Sequence, residues 1–159
     1  MPTITLETYI NAPIERVFDL SRSIDLHMIS THQTKEQAFA GKTSGLIGLG
    51  ETVTWRASHF GIRQMLTSKI TAYTYPHTFT DEMVDRAFKS FTHQHTFAAT
   101  EHDTSVKDVF SYVSPLGILG RLADALFLKR YMTKLLKQRN QVIKHYAESD
   151  LWLGILNDK

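Results

Sequence analysis

With 159 residues, 42% of them hydrophobic, the chain carries enough apolar material for one domain around a single core, which excludes a largely disordered protein. A net charge of +2 with neutral histidines is too small to argue for a nucleic-acid partner, and the absence of cysteine removes disulfides, thiolate metal ligands and thiol nucleophiles. No charged segment leading into an apolar run opens the chain, and no apolar stretch approaches the roughly 18–20 residues that span a bilayer, so a cytoplasmic protein without stable membrane insertion is expected.

In chain order, TITLETYI (3–10) alternates, with Ile4, Leu6, Thr8 and Ile10 on one face, and predicts a half-buried strand. NAPIERVFDL follows. Pro13 suits a first helical turn, Glu15 complements the helix N-terminus, and Ile14, Val17 and Phe18 supply a buried face. A second short helix is expected within 22–30, capped by Ser21 or Ser23. From Lys35 to Val113 the period becomes two. Strands are predicted near 37–40 and over 51–60, 63–73, 77–84, 87–100 and 104–113, with a turn at Phe60-Gly61-Ile62 and a break at Pro76. Ser114-Pro115 reads as a helix start, and helical periodicity runs on to about Ala147. The first half of that helix is apolar nearly all round, so it must be covered or line a cavity.

This order of elements resembles the START-like superfamily, the Bet v 1-like and polyketide cyclase/dehydrase-like SRPBCC proteins, over residues 3 to 147. The resemblance is carried by INAPIERVFDLSRSIDLH, TSGLIGLGETVTWRASHFG, FTDEMVDRAFKSFTHQHTF and DVFSYVSPLGILGRLADALFLKRYM. The run N-A-P-x-E-x-V-F, here Asn11 to Phe18, is the superfamily's commonest mark, and the later stretches are similar to a bacterial ligand-binding subgroup. The resemblance implies an α+β helix-grip fold. A curved antiparallel β-sheet of six to seven strands would wrap a long C-terminal helix, with two short helices after strand 1 and a cavity between sheet and helix. It implies no particular activity, because the superfamily includes lipid carriers, hormone receptors and cyclases, and fold alone does not set function.

Alternation assigns the inward face of each strand. Glu51, Val53, Trp55, Ala57 and His59 share one face, taken as inward because Arg56 lies on the other. Phe79, Asp81 and Met83 share a second, Phe91, His93, His95 and Phe97 a third, and Val106, Asp108, Phe110 and Tyr112 a fourth. Four strands thus turn ionisable groups inward with their aromatics. Buried charges are costly unless paired or hydrated, so either these groups satisfy one another in a packed core or they line a polar-patched cavity.

His93 and His95, two apart on a strand, lie roughly 6.5–7 Å apart along the backbone and point the same way, so both can converge on one ligand atom or one metal. Zinc needs a third protein ligand, for which His59, Asp81 and Asp108 are candidates at no diagnostic spacing, and no metal or other cofactor is expected. An acid–base role is also open, with His93 or His95 as base and Asp108 orienting it. The favoured expectation is binding of a small, largely apolar, lipid- or polyketide-like molecule. Glu51, Trp55, His59, Asp81, Met83, Phe91, Phe97, Phe110 and Tyr112 would line the sheet side, and Leu119, Leu122 and Leu126 the helix side. A cyclase, dehydratase or hydrolase using His93, His95 and Asp108 is the second reading, and a structural or partner-binding domain the third. Homodimerisation stays open. Lys129, Arg130, Lys134, Lys137, Arg139 and Lys144 predict a solvated basic helix face. The apolar tail LWLGIL (151–156) is expected to dock on its own domain or on a partner. SGLIGLG (44–50) lacks the Lys-Ser ending of a phosphate loop and reads as a cavity rim.

Overall fold

The structure is a computed structural model that describes residues 1–85, 90–114, 117–123 and 127–157. Strand β1 (Thr3–Ile10) leads through Pro13, which sits at the N-cap, into α1 (Ile14–Ser21) and α2 (Ile24–Ser30). Ser23 caps α2 by accepting the Leu26 N–H at 3.2 Å, satisfying one of the donors a helix start leaves open. A single 3-10 turn (His32–Thr34) precedes β2 (Gln37–Gly41). The meander then runs through β3 (Thr52–His59), β4 (Ile62–Thr74), β5 (Thr78–Asp85), β6 (Ser90–Ala99) and β7 (Thr104–Val113). The C-terminal part holds α3 (Gly117–Ala123), α4 (Lys129–Ala147) and α5 (Trp152–Leu156).

All strand pairs are antiparallel, and the seven strands form one sheet in the order β1-β7-β6-β5-β4-β3-β2. Bulges between Ala38 and Ala40, and at Thr67/Ser68 and Ile70/Ala72, bend it. The β3–β4 hairpin closes through Phe60 (φ 52°) and Gly61 (φ 74°), two left-handed residues in succession, as a two-residue hairpin turn requires. Gly41 is left-handed too, and a Cβ there would lie 2.3 Å from the Thr52 carbonyl oxygen, so no larger residue fits.

The sheet's concave face holds two apolar clusters. One gathers Ile10, Val17, Phe18, Leu26, Phe97 and Ile143, where α1, α2 and α4 close the domain. The other gathers Ile4, Phe91, Phe110 and Tyr112, with Leu128, Met132 and Leu136 of the α4 region packed on them. The apolar tail folds back as α5: Trp152, Ile155 and Leu156 pack on the first cluster, and the Arg16 guanidinium lies 4.2 Å over the Trp152 ring.

The helix expected from Pro115 to Ala147 is described as α3 and α4; Pro115 and residues 124–126 between the two lie outside the described residues. Two features differ from the sequence reading. A stretch apolar all round specifies no single buried face, and α3 leaves Ile118, Leu119 and Leu122 exposed. Arg139 does not belong to the wet basic face. It is buried and donates to the Ser21 carbonyl at 2.7 Å, which supplies the partner an interior guanidinium needs.

Candidate functional site

The inward pattern of β6 reads Phe91, His93, His95, Phe97, so the two imidazoles lie between the two apolar clusters. Strand register supplies the rest. Asp81 of β5 stands directly opposite His93, and Asp108 of β7 directly opposite His95. Neighbouring strands are about 4.8 Å apart, so two carboxylates flank two imidazoles from either side.

The contacts are diagonal as well as direct. His93 Nε2 lies 3.1 Å from Asp108 Oδ1, and His95 Nε2 lies 3.3 Å from Asp81 Oδ1. His95 Nδ1 is 2.7 Å from Asp108 Oδ1 but out of line for a hydrogen bond, and His93 Nδ1 is 3.9 Å from Asp81 Oδ1. The second oxygen of Asp108 accepts the Asn140 side-chain N–H at 2.6 Å, and the same amide reaches Thr8 Oγ1 at 3.2 Å. Helix α4 thereby clamps the carboxylate from above the sheet.

Burial, reinforced by the neighbouring His95, pushes His93 down to about 4, so its imidazole is neutral at pH 7. For His95 burial acts the same way, but contacts with Asp108 and Asp81 outweigh it and raise its pKa. Burial would raise both carboxyls. Hydrogen bonds and charge from His93 and His95 overcome it, holding Asp81 and Asp108 below the usual carboxylate range.

Asp81, His93 and His95 open onto a cavity of about 410 Å³ between the sheet and α4. Trp55, Phe79, Phe91, Phe110, Leu66 and Ile70 are among its sheet walls, and Leu128, Met132, Leu135 and Leu136 face them. Phe60 and Phe127, both exposed and 5.6 Å apart between ring centroids, mark its rim. Ile47 of the glycine-rich loop is buried and reaches the lining.

Of the residues singled out in the sequence, Trp55, His59, Asp81, Phe91, His93, His95 and Phe110 line the cavity, and Asp108 supports the histidines from behind. The other described ones do not line it. Glu51 precedes β3, where alternation no longer governs its direction; it accepts the Gly48 N–H at 2.7 Å and pairs with Lys42. Phe97 is drawn into the core by α1, 5.1 Å from the Phe18 ring. Met83 and Tyr112 pack within the second apolar cluster. Leu119 and Leu122 point outward on α3, and Ala123, Phe127 and Leu128 occupy the wall expected of them. Leu126 lies outside the described residues.

A second polar group forms around His59, which the alternation of β3 predicts as inward, with partners that the sequence did not single out. His27 stacks on Trp55 at 4.2 Å and places Nε2 3.3 Å from Glu36 Oε2, while His59 Nδ1 meets Tyr131 Oη at 2.9 Å. His27, Glu36, His59 and Tyr131 all line the cavity. Burial would raise Glu36, but the charge and hydrogen bond of His27 prevail and lower it. Burial lowers His59, with Glu36 opposing. In the sheet, β4 lies between His59 on β3 and Asp81 on β5. The site therefore presents two polar groups set among apolar walls. Chemically it can orient polar groups of a bound molecule, accept a proton on neutral His93, or gather donor atoms around a cation. Asn140 left a signal in the sequence, since it interrupts the apolar stripe Met132, Leu136, Ile143, Ala147. Glu36 and Tyr131 left none.

A family model described as "Polyketide cyclase / dehydrase and lipid transport" matches residues 1–148. Among curated proteins none matches. Similar solved structures include a protein of Thermus thermophilus, 19% identical, with a TM-score of 0.71 over 89% of this chain and 97% of that one. Ginseng major latex-like protein 151 from Panax ginseng is 16% identical, with a TM-score of 0.68 over 93% of this chain and 98% of that one. A Mycobacterium smegmatis protein is 19% identical, with a TM-score of 0.65 over 90% of this chain and 88% of that one. These likenesses establish the helix-grip fold. Among the described residues no helix is long and apolar enough to cross a membrane.

Proposed function

Because the chain belongs to the polyketide cyclase / dehydrase and lipid transport family, we propose that it binds a small, largely apolar, lipid- or polyketide-like molecule between the sheet and α4. The observation that carries this reading is the cavity of about 410 Å³, whose walls combine apolar side chains with the Asp81–His93–His95 and Glu36–His59 groups. Pockets for small molecules typically span ~300–1,000 Å³ and combine apolar walls with a few placed polar groups. The walls supply affinity at about 25 cal/mol per Å² of apolar surface removed from water. The Asp81–His93–His95 and Glu36–His59 groups hold polar parts of the ligand and set its direction.

The two tryptophans allow a direct test. Trp55 lines the cavity, whereas Trp152 lies on α5 against Arg16. A Trp152→Phe protein leaves Trp55 as the only tryptophan. Titration with anilinonaphthalene sulfonate, oleate and an aromatic polyphenol should change its emission saturably for at least one probe. Leu66→Trp, which fills the hollow, should abolish competition between that probe and anilinonaphthalene sulfonate. If no probe perturbs Trp55, and native mass spectrometry of freshly purified protein finds only the bare chain, the reading fails.

A further inference from the structure

The polar group on β5 and β6 does more than an ion pair needs. We propose that Asp81, His93 and His95 form a binding site for a divalent transition-metal ion, with zinc the best match, and that Asp108 is its supporting carboxylate. One nitrogen from each imidazole and one Asp81 oxygen lie within 4.8 Å of one another. The nearest of these contacts, 3.3 Å from His95 Nε2 and 3.9 Å from His93 Nδ1 to Asp81 Oδ1, decide between two readings. A charge-assisted N–H···O bond closes to about 2.7–2.9 Å, so the His95–Asp81 hydrogen bond is a long one and His93 Nδ1 at 3.9 Å makes none to Asp81. Donors about 2.0–2.2 Å from a tetrahedral metal stand roughly 3.3–3.6 Å apart, a spacing the Asp81 contacts bracket more closely.

The far sides of the rings agree. The nitrogens turned away from Asp81, His93 Nε2 and His95 Nδ1, both face Asp108 Oδ1, at 3.1 and 2.7 Å. A metal-bound histidine nearly always presents its other ring nitrogen to a carboxylate or carbonyl, which fixes the ring and makes it a better ligand. Here Asp108 is hydrogen-bonded to the His93 ring and lies beside the His95 Nδ1 without a bond in line, and Asn140 holds it at 2.6 Å. Asp81 and Asp108 together balance a divalent charge. Two imidazoles and one carboxylate make a borderline donor set of the kind catalytic zinc sites use, with the fourth position left for water or substrate. That position falls on the cavity side, since all three donors line the cavity. Asp81, with 22% of its side chain exposed, provides the way in for the ion.

The proposal is independent of the apolar ligand and is tested without one. Tag-free protein, stripped with a chelator and dialysed, is titrated with zinc by calorimetry, and the bound ion is counted by plasma mass spectrometry. One ion per chain is expected. Asp108→Asn should weaken binding about 10–100-fold, the usual effect of losing an outer carboxylate. Asp81→Ser and His95→Ala should abolish stoichiometric binding, while His102→Ala, at a fully wet position, should leave it unchanged. Cobalt in place of zinc should give the intense visible bands of a low-coordinate site, and these should vanish in Asp81→Ser. Circular dichroism separates lost binding from lost fold, and the partly exposed Asp81 position keeps at least that variant folded. Substoichiometric zinc in the parent, or binding that survives both Asp81→Ser and His95→Ala, overturns the proposal. Neither result bears on the Trp55 titration.

Discussion

Replacing Asp108 tests whether the inward charges form one connected network. The residue is 1% exposed and contacts His93 Nε2, His95 Nδ1 and Asn140 Nδ2 at 3.1, 2.7 and 2.6 Å. In Asp108→Ala these groups stay buried, His93 Nε2 and Asn140 Nδ2 lose an acceptor, and His95 loses the neighbouring carboxylate charge. Asn140 keeps a 3.2 Å contact with Thr8, so most of the loss falls on the imidazoles. Removing one partner from a buried ionic group costs about 3–5 kcal/mol, and each stranded donor alone accounts for ~1–3. The expected loss is therefore about 3–5 kcal/mol, a drop in Tm of roughly 6–20 °C for a chain of this size. Asp108→Asn should cost less, about 1.5–3 kcal/mol, because the shape survives and neutral His93 can change tautomer to accept from the new amide. Urea unfolding at pH 7 in chelator-containing buffer, followed by far-UV circular dichroism, measures both. A cycle with Asn140→Ala should give a coupling of about 0.5–3 kcal/mol. An Asp108→Ala protein within about 1 kcal/mol of the parent, at equal m-value, refutes the network.

Three further outcomes follow from particular contacts. Phe18 is fully buried with the rings of Tyr73, Tyr75, Phe79 and Phe97 between 5.1 and 5.4 Å away, so Phe18→Ala should lose about 3–5 kcal/mol in urea unfolding. His59 is depressed by burial from 6.5, so the unfolded chain takes its proton first and stability falls as pH drops below that value; Glu36, depressed from 4.5, adds a further loss at lower pH. Urea midpoints measured from about pH 7.5 downward should therefore decline, and His59→Gln should flatten the upper part of that decline; an unchanged slope refutes the assignment. Arg16 donates to the Ala147 carbonyl at 3.0 Å and covers Trp152, so Arg16→Ala should cost about 1 kcal/mol and make Trp152 more accessible to acrylamide quenching.

The local periodicities are legible because they are local. The alternation in β3, β6 and β7 named Trp55, His93, His95, Asp108 and Phe110 as inward without any knowledge of neighbouring strands, since a strand's two faces follow from backbone geometry alone. The same rule failed at Glu51, one residue before β3 begins. It also could not tell Phe97, which packs under α1, from Phe91, which faces the hollow, because both lie on the same face of β6. The all-apolar stretch around Leu119 and Leu122 carried no periodic instruction, and only packing showed which of its residues meet the sheet. Arg139 looked like one more cation of a wet face until the Ser21 carbonyl supplied its buried partner.

The sequence by itself determined the element order and the presence of inward ionisable groups, both consequences of hydrophobic period and turn chemistry along the chain, and its resemblance to the START-like superfamily implied the helix-grip class. The tertiary structure decided what those groups do to one another. Register placed Asp81 opposite His93 and Asp108 opposite His95, docking of α4 brought Asn140 onto Asp108, and the approach of α2 to β3 set His27 and Glu36 beside Trp55. Such pairings depend on alignments between segments far apart in the chain. A slip of one residue in any strand would turn its whole inward set outward, so the chemistry of the site rests on long-range register rather than on local pattern.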